Sequence, residues 1–376
     1  MGNVIEATKN ILYFSSFGDM RGGGQESLFQ LIEHLNKNKF RPFVIIPNDG
    51  DLVARLKSIN VRVIVIKLPK ITKFNVWTSG KAVKKIIDTI KTYNIDLIHT
   101  DGPRNTFYGG LAAKIKCKPL IWHIRISEKD RYDRLLYFLS SKIILVANAL
   151  RTRFDWVGTS DKFITIYNGV DLSEPRPEKS VPSVREQYGI DRKTLLIAAI
   201  ARIEPLKGQR YLIEACGRLR NNLDDVCVLL IGDIVDSGYC NECKALAREL
   251  GTENRLIFTG YQNNIGQFLS EIDVFVLPSL SEAFPRSVIE AMGAGRPVVV
   301  TDVGGCSEAV EDNVSGFVVP ARDSKALADA LHKLCKDSKL RSKFGQAAKV
   351  RAEKMFGIVK NVKQTEQVYL NILGKD

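Results

Sequence analysis

Nearly unbroken apolar runs of five to eight residues recur along the chain and alternate with segments of helical periodicity. The runs of the first half are ILYFSS, FVIIP, VRVIVIKL, DLIHT, LIWHI and IILVAN, and those of the second half are LLIAAIAR, VCVLLIGD, LIFTGY, VFVLPS and PVVVTD. Such alternation is typical of parallel sheets covered by helices on both faces. The sequence therefore predicts an α/β fold of doubly wound sheets. Since 376 residues exceed what one hydrophobic core usually supports, we expect two such domains.

The segment DLSEPRPEKSVPS at residues 171–183 is rich in proline and charge and interrupts the alternation, which restarts after it. We interpret it as a linker between an N-terminal domain over residues 1–172 and a C-terminal domain over residues 173–355. Ligands of doubly wound sheets bind outside the carboxyl ends of the strands, so we expect Rossmann-like domains that face a central cleft. Residues 356–376 are predicted to form a helix that packs back on the N-terminal domain.

The positive charge of the chain is concentrated in its first half. Residues 1–172 hold 27 Lys and Arg against 15 Asp and Glu, and the remaining residues hold 28 against 27, which accounts for the net charge of +13. A one-sided basic field indicates an anionic partner, such as a membrane surface, a phosphorylated acceptor or a nucleic acid. A nucleic-acid-binding module would carry recognition motifs, and no homeodomain, zinc-finger or RNP-like signature is present. We therefore expect no nucleic acid among the partners.

The N-terminus and the cysteines indicate a cytoplasmic protein. MGNVIEATKNILYFSS lacks a basic region followed by a long apolar stretch, and no run of roughly 18 apolar residues occurs. Glu6 occupies the position at which an N-myristoylation signal needs Ser or Thr. Seven scattered cysteines fit free thiols in a reducing compartment. Cys240 and Cys243 form the one CxxC, without the second pair or the histidines of a structural zinc site, so we expect no metal.

A glycine-rich segment, FGDMRGGGQESLFQLIEHL, follows the first apolar run. Gly22, Gly23 and Gly24 precede apolar residues that recur at helical spacing, which predicts a loop followed by a helix. Glycines at this place let a ligand approach the backbone amides of a helix N-terminus, which favours anionic groups. The dinucleotide fingerprint and the P-loop pattern are absent here, and a plain strand–helix turn explains the segment equally well.

The segment PSLSEAFPRSVIEAMGAGRPVVVTD at residues 278–302 carries the strongest indication of a site. Glu282 lies on a loop that enters a predicted helix, and Glu290 lies inside that helix. The amides at the start of the helix would point the positive end of its dipole at whatever Glu282 faces. These amides belong to the run Phe284, Pro285, Arg286 and Ser287. The pattern indicates a diphosphate site with a carboxylate beside it.

Two cations follow the first apolar run of the second half. In LLIAAIARIEPLKGQRYLIEA, Arg202 and Lys207 come just beyond a predicted buried strand, at the end where ligands bind. Arginine offers a rigid fork of donors and lysine a mobile point charge, a combination suited to a diphosphate leaving group. The alternative is that both are ordinary surface cations.

With these motifs, the chain resembles the retaining glycosyltransferases of family four, which have the GT-B fold. The resemblance covers nearly the whole length. Its segments are, in order, GGGQES, LIWHI, IYNGVD, ARIEPLKG, LLIGD, PSLSEAFPRSVIE, TDVGG followed by Glu308, and GFVVPARD. The most specific part is the pair of glutamates, Glu282 and Glu290, joined to Arg202 and Lys207.

For the C-terminal domain, the resemblance implies a donor site. Arg202 and Lys207 would hold the donor diphosphate, and Glu290 would bind the ribose hydroxyls. Glu282, with the loop amides after it, would orient the transferred sugar. These groups would stabilise the charge of the leaving nucleoside diphosphate without a metal ion.

For the N-terminal domain, Gly23 and Gly24 match glycines that approach donor and acceptor. His123 matches a histidine at the end of a strand, close to the transferred sugar. Two positions depart from the family pattern: Ala283 stands where many relatives have Gly, and Arg286 places a basic residue at the helix entrance. Both adjoin the expected sugar pocket, so the donor sugar stays open.

The resemblance implies transfer of a hexose-type sugar from a nucleoside-diphosphate sugar, UDP- or GDP-linked, to a glycan or lipid-linked acceptor. Anomeric configuration would be retained, and bacterial cell-surface polysaccharide or glycolipid synthesis is the expected context. A nucleotide-sugar 2-epimerase or a phosphorylase of the same architecture is the enzymatic alternative, because it would use similar phosphate chemistry. A transferase elongates an acceptor, whereas an epimerase alters only the donor.

A lysine-rich stretch at residues 67–91 suggests how an acceptor could be reached. It combines seven lysines with Phe74, Val76 and Trp77, and from about Ser79 it is predicted to be a helix. The lysines expected on its solvent side are Lys81, Lys84 and Lys85. Aromatic residues beside lysines suit the boundary of an anionic bilayer, so we expect peripheral contact with the inner face of the plasma membrane. A solvated helix face with a soluble anionic acceptor is the alternative.

Overall fold

A computed structural model describes residues 8–20, 22–72, 76–173, 182–219 and 225–374. The chain divides into two compact units. The N-domain comprises Met1–Gly169 and Ile358–Asp376, and the C-domain comprises Val170–Gly357. These limits differ by two or three residues from the boundaries expected at 172/173 and 355/356.

The N-domain contains a parallel sheet of seven strands in the order β3-β2-β1-β4-β5-β6-β7. The strands are β1 (Lys9–Phe14), β2 (Phe40–Ile46), β3 (Arg62–Val65), β4 (Leu97–Asp101), β5 (Leu120–Ile124), β6 (Lys142–Leu145) and β7 (Phe163–Thr165). The helices between them are α1 (Gly23–His34), α2 (Asp51–Ser58), α3 (Val76–Thr92), α4 (Pro103–Ile115) and α5 (Asp133–Leu139), with a 3-10 segment at Asn148–Phe154.

The C-domain contains a second parallel sheet, in the order β10-β9-β8-β11-β12-β13. Its strands are β8 (Leu195–Ile200), β9 (Val226–Ile231), β10 (Leu256–Gly260), β11 (Val274–Leu277), β12 (Val298–Thr301) and β13 (Gly316–Val319). Its helices are α6 (Val184–Tyr188), α7 (Gln209–Leu219), α8 (Ser237–Glu249), α9 (Ile265–Glu271), α10 (Arg286–Gly293), α11 (Cys306–Ala309), α12 (Ser324–Lys336) and α13 (Ser338–Phe356). Short 3-10 turns lie at Pro205–Lys207 and Glu253–Arg255.

Both sheets confirm the predicted doubly wound α/β class. Strands such as β5 and β9 are buried along their whole length, as expected for parallel strands covered on both faces. In each sheet the strand order reverses once, between β1 and β4 in the N-domain and between β8 and β11 in the C-domain. In open sheets of this kind, ligands bind at the carboxyl ends of the strands beside such a reversal.

The final helix, α14 (Ile358–Leu373), belongs to the N-domain, which confirms the predicted return of the chain. Tyr369 is fully buried there, and its ring meets the ring of Phe40 edge-on at 5.5 Å between centroids. Asn361 donates a hydrogen bond to the Tyr167 carbonyl at 2.6 Å. A Cβ added at Gly169 would lie 2.6 Å from the Asn361 Cβ, so the helix leaves no room for a side chain there.

The structure differs from the local expectations at two helix starts, and it adds two strands. The apolar runs did not include β7, which has three residues and no buried side chain, or β13, whose four residues begin with glycine. Helix α1 begins at Gly23 rather than after Gly24. Helix α3 begins at Val76 rather than near Ser79, so Trp77 lies on the helix. Phe74 and Lys73 lie outside the described residues.

The seven cysteines are all free thiols, six of them buried and Cys117 exposed. Burial raises the pKa of the Cys243 thiol to about 11, so this half of the CxxC pair is protonated and inert at neutral pH. Within the described ranges, no three or more His, Cys, Asp or Glu side chains are grouped to hold a metal ion. No helix in the same ranges combines the length and the apolar character needed to cross a bilayer.

Candidate active site

Lys207 and Glu282 meet at the strand-order reversal of the C-domain sheet. Lys207 ends the 3-10 turn that follows β8, and Glu282 lies on the loop that follows β11, the neighbouring strand. Lys207 Nζ lies 2.7 Å from Glu282 Oε1, and the two side chains are 19% and 12% exposed. The structure therefore brings together two predicted residues that lie 75 positions apart in the chain.

Backbone and side-chain bonds hold these two loops against each other. The Leu280 amide donates to the Leu206 carbonyl at 2.8 Å, and the Ser279 hydroxyl donates to Glu282 Oε1 at 2.7 Å. Gly208 has a φ of +66°, and a Cβ there would lie 2.0 Å from the Pro278 carbonyl oxygen. Sequence reasoning missed Ser279, although it precedes Glu282 by three residues in the same motif. The bonds from Lys207 and Ser279 to Oε1 restrain the side-chain rotamer of Glu282.

A third loop, after β12, approaches the backbone of Glu282 directly. Gly304 has a φ of +51°, and a Cβ at this position would lie 1.6 Å from the Glu282 carbonyl oxygen. The Gly305 amide donates to the Ala283 carbonyl at 3.1 Å. Glycine is therefore required at 304 both for its backbone conformation and for the close approach. The motif TDVGG belongs to the family resemblance, but the sequence alone gives no reason for its glycines.

Helix α10 points its N-terminus toward the loop that carries Glu282, as predicted, but its first turn differs. Pro285 is the N-cap residue and has no N–H, so the amides of the predicted run 284–287 are those of Phe284, Arg286 and Ser287. No side chain from the N-cap position caps the helix. Arg286 Nη2 lies 3.3 Å from Glu290 Oε1, an ion pair within one helical turn.

Phe284 and Arg202 lie in different surroundings. The ring of Phe284 is 5% exposed and packs edge-on against Phe356 at 5.3 Å between centroids, so its side chain belongs to the core. Arg202 Nη2 lies 2.7 Å from Glu204 Oε1, and the Arg202 side chain is 53% exposed. The carbonyl of Arg202 accepts a bond from Gln209 Nε2 at 2.8 Å, which fixes the backbone at the end of β8. Glu204 was also missed by sequence reasoning.

Each of the cations predicted for this region, Arg202, Lys207 and Arg286, therefore has a carboxylate partner. Paired cations are held in fewer rotamers than solvated ones. The phosphates of a diphosphate ligand could replace the carboxylates as partners of these cations. The cations and the helix N-terminus can therefore bind an anionic group. The restrained carboxylate of Glu282 lies next to them.

In the N-domain, His123 lies at the carboxyl end of β5 and is 1% exposed. Its Nδ1 lies 3.1 Å from His99 Nε2 and 3.3 Å from Arg125 Nη2. Its Nε2 is also buried and has no hydrogen-bond partner in the described part of the chain. A buried polar atom without a partner is costly, and a bound ligand is one way to satisfy it. The residues around His123 were not predicted from the sequence.

Gly23 and Gly24 form the first positions of α1, with Gly22 as the N-cap residue. A Cβ added at Gly24 would meet no atom of the described chain within 4 Å, so the space beside this glycine is open. Arg21, which precedes the three glycines, lies outside the described residues. The geometry is that of a helix N-terminus that a ligand can approach closely.

Comparison with known proteins identifies two matching families. Residues 21–174 match the family described as Glycosyltransferase Family 4, and residues 180–351 match Glycosyl transferases group 1. Together, these matches span nearly the whole chain, including the predicted residues of both domains.

Individual relatives agree with these matches. The chain is 26% identical over 314 residues to the Escherichia coli UDP-Gal:alpha-D-GlcNAc-diphosphoundecaprenol alpha-1,3-galactosyltransferase, covering 78% of this chain and 80% of that protein. It is 25% identical to the Campylobacter jejuni subsp. jejuni N,N'-diacetylbacillosaminyl-diphospho-undecaprenol alpha-1,3-N-acetylgalactosaminyltransferase, covering 83% and 86%.

Among solved structures, Anabaena Alr3699/HepE in complex with UDP and glucose is similar. It superposes with a TM-score of 0.84 at 25% identity, covering 96% of this chain and 100% of that chain. These findings confirm the family and the fold that the motifs predicted. With a family match on each domain and this structural likeness, the chain belongs to glycosyltransferase family 4 and is a glycosyltransferase of the GT-B fold.

Proposed function

We propose that this protein transfers a hexose-type sugar from a nucleoside-diphosphate sugar to a lipid-linked or glycan acceptor, with retained anomeric configuration and without a metal ion. The observation that carries the proposal is the partly buried Lys207–Glu282 pair, in which Glu282 lies on the loop that leads into α10. The names of the relatives support it, because two of them are transferases acting on diphosphoundecaprenol-linked sugars. The likeness to a structure that contains UDP and glucose favours UDP over GDP.

In the proposed reaction, the bond between the anomeric carbon and the phosphate oxygen breaks, and its electron pair leaves with the diphosphate. Arg202, Lys207 and the amides at the start of α10 stabilise the negative charge that develops there. The acceptor hydroxyl bonds to the anomeric carbon from the same face, and its proton passes to a phosphate oxygen. Configuration is thereby retained without an enzymatic nucleophile.

Glu282 and Glu290 have different parts in this proposal. Glu282 Oε1 already accepts bonds from Lys207 and Ser279, which suits a group that orients the sugar better than a nucleophile that attacks it. Glu290 would exchange its contact with Arg286 for the ribose hydroxyls. From the N-domain, Gly23 and Gly24 would let the substrates approach the backbone, and His123 would contact the transferred sugar.

The test is to incubate the purified protein with a panel of UDP- and GDP-sugars, a diphosphate-lipid acceptor and excess EDTA, and to analyse the products by NMR. We expect elongation of the acceptor, an anomeric configuration equal to that of the donor, and full activity in EDTA. An inverted product would refute the retaining mechanism, and loss of activity that a divalent ion restores would refute the metal-free one. An epimerised donor without elongation of the acceptor would show that the protein is an epimerase and not a transferase.

We also propose that the N-domain binds an anionic membrane surface through one face of α3. Trp77 is 86% exposed, and Lys81, Lys84 and Lys85 are exposed on the same helix. Spacings of four and seven residues from Trp77 place Lys81 and Lys84 on its side, whereas Ile86 is fully buried on the other. An exposed tryptophan among lysines is the composition of an interfacial helix. A lipid-linked acceptor lies at such a surface.

The membrane proposal predicts sedimentation with vesicles that contain anionic lipid at low salt, and none with neutral vesicles. Each lysine near such a surface contributes about 1 kcal/mol, so changing Lys81, Lys84 and Lys85 to Glu should weaken binding by about a hundredfold or more. The matched control changes three exposed lysines of the C-domain to Glu: Lys336, Lys339 and Lys343. Equal losses in the two triple variants would mean that net charge alone, and not this face, determines binding.

A further inference from the structure

Four buried side chains of the N-domain form a continuous hydrogen-bonded chain that ends at His123. The Tyr13 and Tyr369 hydroxyl oxygens are 3.0 Å apart, and the Tyr369 oxygen lies 2.6 Å from His99 Nδ1. His99 Nε2 in turn lies 3.1 Å from His123 Nδ1. Each of the four residues is at most 4% exposed. Strands β1, β4 and β5 supply three of them, and the C-terminal helix α14 supplies Tyr369.

A guanidinium at one end of this chain favours the His123 tautomer that has no proton on Nδ1. Arg125 Nη2 lies 3.3 Å from His123 Nδ1, and Arg125 Nη1 donates to Asn168 Oδ1 at 2.8 Å, which holds the guanidinium in place. Arginine is always a donor and never an acceptor. A lone pair on His123 Nδ1 is therefore favoured, because a proton there would face a donor of Arg125.

Both imidazoles are neutral at physiological pH. Burial, reinforced by the charge of Arg125, lowers the pKa of His99 to about 3. Burial and the charge of Arg125, with a smaller contribution from His99, also lower the pKa of His123 well below its ordinary value. Each ring therefore carries a single proton. Since Nδ1 of His123 is unprotonated, the proton of that ring is on Nε2.

The same reasoning gives every bond of the chain a direction. With no proton on His123 Nδ1, His99 Nε2 must donate to it, so His99 Nδ1 is an acceptor. The Tyr369 hydroxyl then donates to His99 Nδ1 and accepts from the Tyr13 hydroxyl. All donors point toward His123, and its Nε2–H is the one buried donor of these four residues without a protein acceptor in the described part of the chain.

We propose that Tyr369 is a positioning residue, whose hydroxyl acts through His99 to hold His123 in the tautomer that donates from Nε2 to an oxygen of the bound sugar substrate. The identity of the ligand rests on the proposed glycosyl transfer, whereas the tautomer follows from the hydrogen bonds alone. A consequence is that the C-terminal helix, through Tyr369, takes part in substrate binding by the N-domain. A substrate would need an oxygen that accepts a hydrogen bond opposite His123 Nε2. A substrate that presents only a hydrogen-bond donor there would be rejected.

The tautomer can be measured directly by NMR of the full chain with ¹⁵N-labelled histidine, without any substrate. The chain has four histidines, and substituting each of them in turn assigns its ring resonances. We expect both His99 and His123 to carry the proton on Nε2 near pH 7. In Tyr369→Phe, which removes the hydroxyl and keeps the ring, we expect a second tautomer of at least one of them. A proton on Nδ1 of His123 in the unsubstituted chain would overturn the inference, and so would unchanged tautomers in Tyr369→Phe.

Kinetic coupling tests whether Tyr369 acts through His123. Tyr369→Phe should lower kcat/KM by about tenfold, the size expected for one lost hydrogen bond in a network. The same change in a His123→Ala background should have less than about a twofold effect, because the residue that it positions is gone. Equal effects in both backgrounds would show a general structural role and contradict the proposal.

The matched control is Tyr108→Phe. Tyr108 is another fully buried tyrosine of the N-domain, and its hydroxyl lies 2.9 Å from Ser79 Oγ. Its effect should be the same with and without His123. If the unsubstituted protein turns over none of the nucleotide sugars, the proposed function fails, and the NMR result alone decides the tautomer.

Discussion

Replacement of Lys207 by Ala is expected to lower kcat/KM for the nucleotide-sugar donor by about two to three powers of ten. Lys207 Nζ is held 2.7 Å from Glu282 Oε1 and its side chain is 19% exposed, so its charge is fixed in poorly solvated surroundings. Such a cation stabilises the leaving diphosphate more in the transition state than in the ground state. Arg202→Ala should act in the same direction, and steady-state kinetics measure both.

Arg210→Ala is the control for loss of a positive charge from this region. Arg210 lies on α7, is 59% exposed and pairs with Glu214 at 3.0 Å. Its loss should change kcat/KM by less than about twofold, because exposed pairs of this kind contribute little. Thermal unfolding should accompany the kinetics, because Lys207→Ala also leaves the mostly buried Glu282 without its cation. Full activity of a folded Lys207→Ala variant would remove Lys207 from the site.

Gly304→Ala should lower kcat/KM by about a hundredfold, which is the expected effect of moving a substrate-positioning group by about 1 Å. The added Cβ would lie 1.6 Å from the Glu282 carbonyl oxygen, so the loop that carries Glu282 must move. A φ of +51° also costs a non-glycine residue about 1–2 kcal/mol of folding stability. Kinetics and thermal unfolding of the same variant separate the two effects.

Gly295→Ala isolates the contribution of the backbone conformation. Gly295 has a φ of +70°, but a Cβ there would have no neighbour closer than 4.0 Å. This variant should lose stability by a similar conformational amount and keep its activity. If Gly304→Ala were no worse than Gly295→Ala in either measurement, the close approach of the two loops would have no functional importance.

Much of the fold could be predicted because parallel strands buried on both faces have a local signature. LIWHI and VCVLLI are such runs, and they form β5 and β9. The signature fails for β7, whose three residues are not buried, and for β13, whose short run begins with glycine. Helix starts are also poorly predicted from sequence. Helices α1 and α3 begin at Gly23 and Val76, earlier than expected, because tertiary packing outweighs weak local propensity at helix ends.

The place of the candidate residues at strand ends was predictable from the sequence, but their contacts were not. Glu282 and Lys207 could be placed at strand ends because a loop after a buried strand lies at the carboxyl edge of the sheet. That they form an ion pair, with Ser279 as a second partner of the carboxylate, depends on two loops 75 residues apart. The partners of Arg202 and Arg286 were likewise not foreseen, since side-chain pairing depends on rotamers that no spacing encodes.

The amino-acid sequence alone determined the doubly wound class, the division into two domains and the set of candidate residues at the strand ends, because all three follow from local periodicity and motif. Only the tertiary structure decided what surrounds His123. Tyr369 and His99 are 270 residues apart, yet they are joined by a 2.6 Å hydrogen bond. No local pattern specifies such a contact, because it exists only once α14 has packed on the N-domain sheet and its tyrosine has been buried beside two histidines.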